Sequence, residues 1–228
     1  MDWELRLINL FEHVCKYYQM YQQENCLRIS NNAVPRFSDE EVLCVYLYGL
    51  MEKRRTIQDS YDYICNHLKS WFPGLPSYGG VVQRLNRLAY VFPVMLDKLR
   101  DDFPQTLVMP DIRLLDSMPI VLAKGSRSQQ AKVASELANK GYCSSQKMHY
   151  YGVKLHILGL KRWQRLPVID YVGLTPASDH DLEVFRQIAP YLYGGQLFAD
   201  KAYCDAFLHQ TLQKEQHLKL NTPIKKQK

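Results

Sequence analysis

Two aspartates stand in apolar, strand-like runs. Asp116 lies inside "IRLLDSMPIVLA" (Ile112–Ala123), flanked by Leu114, Leu115 and Ile120, and Asp200 follows the short run "GQLFA". An ionised carboxylate on an apolar strand is costly unless something neutralises it. Two of them brought together by strand pairing repel, and a divalent cation between them resolves the conflict. Mg2+ (or Mn2+) suits, because it takes oxygen ligands and keeps waters that a phosphate can displace. The plainer alternative is that each aspartate accepts a turn N–H and does nothing else.

The elements that must position them change character along the chain. The first ~105 residues read as helices by apolar spacing. Leu7, Ile8, Phe11, Val14, Cys15 and Tyr18 form one stripe, and Ser38 with Glu41 forms a capping box that opens a helix through Met51. Thr56 caps the next helix, "FPGLPS" breaks the chain, and Ser77 starts "YGGVVQRLNRLAYVF", read as one helix burying Val81, Leu85, Leu88 and Phe92. After Pro104 the pattern becomes strand-like. "IRLLDSMPIVLA", "YYGVKLHILGL" and "LPVIDYVGL" are strands, then "DLEVFRQIAPYL" a helix, "GQLFA" a strand, "AFLHQTLQKEQHL" a helix and "LKLNTP" a strand. The domains expected are therefore 1–105, helical, and 106–228, α/β with a mixed sheet. Pro119, three residues past Asp116, predicts a bend or bulge there.

Charge is unevenly spread. The chain of 228 residues carries a net charge of +6. The window Ala123–Arg165 holds nine Lys/Arg against one acid, Glu136, so it alone carries +8 and the remainder −2. Lys124, Arg127, Lys147 and Lys154 lie in it, interleaved with Tyr142, His149, Tyr150, Tyr151 and Trp163. Such a block reads as a nucleic-acid footprint or as a solvated basic loop. Arg84 and Arg87, beside Gln83 and Asn86 on the helix after Ser77, suit a helix–turn–helix contact or an ordinary polar face. The six cysteines show no CxxC pair, which favours idle thiols over a zinc site. With no cationic leader and no apolar run of ~18 residues, no membrane segment and a cytoplasmic location are expected.

The order three strands–helix–strand–helix–strand, with acids on the first and fourth strands, resembles the RNase H-like catalytic core. The strings "LLDSMPI", "GYCSSQKMHYYGVKLHIL", "LTPASDHDLE" and "FADKAY" together resemble the DDE-type transposases of bacterial insertion sequences, and the helical front half is similar to that of one such group. The resemblance implies metal-dependent DNA cleavage and strand transfer, with Asp116 and Asp200 as the first two acids of a triad and as metal ligands. It makes Lys201 and Tyr203, next to Asp200, candidates for phosphate contact, and gives His180–Asp181 a place at the site's edge, although Asp181 could equally cap the following helix. The partners it implies are the terminal inverted repeats of an element and further transposase copies, in a bacterial, nucleoid-associated setting.

One departure stands out. In the resembled family the last strand is followed by a helix carrying the third acid, a glutamate, whereas this sequence closes on "LKLNTPIKKQK". Neither Glu183 nor Glu215 occupies that place. The expectation is a C-terminally truncated, impaired transposase. A DNA-binding remnant that occupies element ends or inhibits intact transposase is the alternative, and a structure-specific nuclease on the same core is a third reading.

Overall fold

The computed structural model describes residues 2–25 (22–25 as backbone only), 36–144 and 146–223. Cys26 and the closing residues 224–228 lie outside it. The chain divides into two compact units, Met1–Asp102 and Phe103–Lys228.

The elements of the first unit are α1 (Trp3–Asn25), α2 (Asp39–Met51), α3 (Ile57–His67), α4 (Tyr78–Arg87) and α5 (Val91–Asp101). Each start has a chemical cause. The Ser38 hydroxyl accepts the Glu41 N–H at 3.1 Å while the Glu41 carboxylate accepts the Ser38 N–H at 2.5 Å, satisfying two donors at the start of α2. Thr56 and Ser77 accept the N–H groups of Asp59 and Gly80 in the same manner. Val42, Leu43, Cys44, Val45 and Tyr48 bury α2 on nearly every side, against Leu7 and Val14 of α1, Ile64 of α3 and Val81 and Leu85 of α4. The one helix expected after Ser77 is in fact two. The Leu88 N–H reaches back to the carbonyls of both Arg84 and Leu85, which tightens and ends α4, and α5 begins at Val91 with Pro93 in its first turn.

The second unit contains β1 (Met109–Lys124), β2 (Asn139–Cys143), β3 (Met148–Arg162), β4 (Arg165–Pro176), α6 (Asp181–Ile188), β5 (Gln196–Ala199), α7 (Ala206–Glu215) and β6 (Lys219–Asn221). They form one mixed six-stranded sheet in the order β2-β3-β1-β5-β6, with β4 also on β3. β3 is long enough to serve two partners along one edge: Met148–Gly152 pairs with β2, and Val153 onward with β4. Leu115, Leu158 and Leu197 share a core with Phe185 and Ile188 of α6 and Leu212 of α7, so these helices cover one face of the sheet. β2 is an addition to the expected order, lying within the polar excursion between the first two long strands. Its middle residue is Gly141 because a Cβ there would stand 2.4 Å from the Ala177 carbonyl oxygen.

No bulge falls at Pro119 itself, and the register irregularity of this part of β1 lies further on, between Val121 and Ala123. The register between β1 and β3 runs unbroken from Arg113 through Val121. On its other side β1 loses its neighbour after Leu115, which pairs with Ala199 at the end of β5. The Ser117 N–H turns to the Asp116 carboxylate at 2.8 Å, and Pro119, two residues on, has its nitrogen on that same unpaired side. A missing N–H there breaks no ladder bond.

Candidate active site

Strand pairing brings the two aspartates together. β1 and β5 are parallel, with Ile112, Arg113, Leu114 and Leu115 opposite Gln196, Leu197, Phe198 and Ala199. The next positions in that register are Asp116 and Asp200, on strands that lie ~4.8 Å apart, and residues paired this way project from the same face. Both side chains line one cavity of about 330 Å³. Each carboxylate also accepts the N–H of its own successor, Asp116 from Ser117 at 2.8 Å and Asp200 from Lys201 at 2.5 Å. Among the described residues neither forms an ion pair.

The face carrying the acids is the one opposite Leu115, Leu158 and Leu197. By alternation and register it also presents Met118, Val172, Leu174 and Phe198, which are between 39% and 52% exposed.

The far wall of the cavity comes from β3 and the start of α6. The Lys154 ammonium donates to the Asp179 carbonyl at 2.6 Å and to the Asp181 carboxylate at 3.1 Å. Asp181 does not cap α6. His180 does, its Nδ1 accepting the Leu182 N–H at 3.2 Å, which leaves the Asp181 carboxylate for Lys154. Tyr150 and Tyr203 also line the cavity, each only 1% exposed, and the Tyr150 hydroxyl has no hydrogen-bond partner among the described residues. Burial above all, then the negative charge of Asp181, pushes the Tyr203 phenol far above its usual range, with Asp116 and Asp200 adding to the effect and Ser117 opposing it. His156 is wholly buried beside the wall with Nε2 2.9 Å from the Thr175 hydroxyl, and that burial lowers its pKa.

The remaining candidates scatter. Lys124, Arg127, Lys147 and Lys201 are exposed. Tyr203 packs its ring edge-on to Phe185 in the core while also lining the cavity of the acids. Within the basic window Tyr150 and Tyr151 are also core residues, whereas Tyr142, His149 and Trp163 are exposed. In the first unit Arg84 is engaged internally, paired with Asp39 and donating to the Phe37 carbonyl at 2.5 Å, while Arg87 is exposed. The wall formed by Lys154 and Asp181 escaped sequence reasoning as a unit, because nothing local links residues 27 apart.

The donor set fits a hard divalent cation. Asp116 and Asp200 offer carboxylate oxygens at adjacent positions, without a lysine between them, and Mg2+ is commonly held by one or two carboxylates with the rest water or phosphate. No group of three or more His, Cys, Asp or Glu converges on a cation position among the described residues. No helix among them is long and apolar enough to cross a membrane.

A mixed sheet with helices on one face, one acid in the middle of β1 and a second just past the end of β5 fits an RNase H-like DDE domain. The family model for a transposase DDE domain matches residues 108–228, and the chain belongs to that family. Its activity is DNA transposition, which implies DNA binding, and its members generally use divalent metals. A comparison with curated proteins returned no match.

Proposed function

We propose that this chain is an insertion-sequence transposase that cleaves and joins DNA strands, with Asp116 and Asp200 as the divalent-cation ligands. The observation that carries this reading is the parallel register in which Leu115 faces Ala199, so that the two acids follow at neighbouring positions on one face. The chemistry that Mg2+ or Mn2+ supplies in such a site is polarisation of a phosphoryl oxygen and acidification of a bound water or hydroxyl. The chain's own part is to hold two carboxylates in fixed orientation, through the N–H groups of Ser117 and Lys201, and to present the Lys154 ammonium across the cavity from them. A phosphodiester entering there meets a wall on which the Lys154 ammonium is already matched to Asp181.

The exposed cations Lys124, Arg127, Lys147 and Lys201 supply charge for the flanking DNA backbone, and Arg87 with Gln83 and Asn86 supplies a second contact from α4.

The test is strand cleavage and joining by the purified chain on DNA bearing the element's terminal inverted repeats, with Mg2+ or Mn2+. Cleavage that Asp116→Asn and Asp200→Asn both remove, with DNA retention intact, is the expected result. Metal-independent cleavage, or full activity in both variants, overturns it.

A second reading, an impaired chain that occupies element ends without cutting them or inhibits active transposase, has one observation in its favour. The third carboxylate lining the cavity, Asp181, is already neutralised by Lys154. Binding to the repeats with no nicking under either metal selects this reading.

A further inference from the structure

The hairpin between β3 and β4 carries features that the paired acids leave unexplained. Arg162 pairs with Arg165, so the turn is Trp163–Gln164 alone, with Gln164 in the left-handed region at φ 49°. Trp163 is 70% exposed and Leu166 84%. The run from Lys161 to Pro167, "KRWQRLP", contains three cations and no acid. The Arg162 guanidinium lies over the Phe103 ring, 5.1 Å from its centroid, which anchors the base of the turn. Arg165 and the indole beyond it have no such cover and are exposed.

A large aromatic at the tip of a short, well-paired arm is costly to leave in water, and its basic flanks favour a polyanion over an apolar protein surface. The other aromatics of the basic window are used differently. Tyr150 and Tyr151 are buried, and Tyr142 packs against His149 with ring centroids 4.8 Å apart. Stacking on a nucleobase suits an indole held out in this way, because every base offers an apolar face, and an unpaired base offers it most readily.

We propose that the Trp163 hairpin is a second DNA contact, in which the indole stacks on an unpaired or splayed-out base while Arg165 holds the adjoining phosphate. The contact rests on the DNA-processing function proposed above and extends it to a particular strand state. Asp116 lies opposite Ile157, six residues from Trp163 along β3. At ~3.3 Å per residue the tip stands roughly 20 Å from the level of the acids. A strand running alongside β3 at ~3.4 Å per nucleotide therefore meets the indole about six nucleotides from its point of cleavage.

The experiment compares binding of a 20-nucleotide oligothymidylate and of a blunt duplex of equal length by the full chain, read by fluorescence anisotropy and by quenching of tryptophan emission. Wild type quenches with oligothymidylate, and Trp163→Ala loses both that quenching and about tenfold of its affinity, with less loss on duplex. Trp163→Phe keeps most of the affinity because a ring remains. Arg165→Gln weakens both probes and flattens the salt dependence by slightly under one unit of log–log slope. Since the indole is exposed, the thermal midpoint stays unchanged in these variants. Unaltered oligothymidylate affinity in Trp163→Ala overturns the contact, as does an equal loss on both probes or a loss in Trp163→Phe as large as in Trp163→Ala. Failure of the wild-type chain to bind either probe removes the DNA reading itself, a result distinguishable from all of these.

Discussion

The floor and the wall of the cavity between β1, β5 and α6 hold carboxylates in opposite electrostatic states. On the floor, among the described residues, Asp116 and Asp200 accept only backbone N–H groups from their own successors. On the wall, Asp181 is matched to the Lys154 ammonium. An N–H dipole orients a carboxylate without cancelling its charge, whereas an ammonium at 3.1 Å cancels most of it. The difference separates acids kept for an external cation from an acid spent on internal order. Arg84 in α4 makes the same point with the sign reversed, since a residue type suited to phosphate is already taken by Asp39.

The hardest test of the contrast is to neutralise each setting in turn. Asp116→Asn or Asp200→Asn should lower strand cleavage by at least about 100-fold and abolish Mn2+ binding followed by electron paramagnetic resonance. Asp181→Asn should leave Mn2+ binding intact and raise DNA affinity a few-fold, because the Lys154 charge is then no longer cancelled. Equal loss of Mn2+ binding in Asp181→Asn would make the wall acid a ligand and erase the distinction. Arg84→Ala should destabilise the first unit by about 1–2 kcal/mol in denaturant unfolding, with little change in DNA binding. A DNA defect without a stability loss would return Arg84 to the contact surface.

The smallest expected effect concerns His156. Its pKa is lowered from 6.5 by burial, so the unfolded chain binds a proton more readily than the folded one below that value. The neutral imidazole therefore contributes stability that is complete above about pH 6.5 and declines as pH falls from there toward the lower folded value. The thermal midpoint should drop between pH 6.5 and 5.5 in wild type and less so in His156→Leu. A slope identical in both proteins would assign the acid sensitivity to other groups.

Much of the sheet is legible in the chain because β1, β3 and β4 are long, β-branched and apolar. The capped starts of α2, α3 and α4 are legible because Ser38, Thr56 and Ser77 act within three residues of themselves. Non-local features are not. β2 is a five-residue edge strand built around a glycine, with no apolar alternation to announce it. Tyr150 and Tyr151 look like nucleic-acid aromatics among lysines, and only the closure of β1 and β2 around β3 makes them core. The same limit applies to Lys154, whose partner lies on another element, and to Pro119, whose nitrogen is harmless only because β5 stops at Ala199.

That early stop leaves the distal half of β1, on the side of β5, without a strand partner among the described residues, the kind of edge onto which a stray extended segment can zip. The pyrrolidine at 119 removes a donor from the middle of it, and the Asp116 carboxylate has already claimed the amide at 117. Fibril-like strand addition is thus blocked where it would seal the mouth over the acids. A Pro119→Val chain should regain that donor and clump on concentration, an outcome that light scattering would register before any loss of fold.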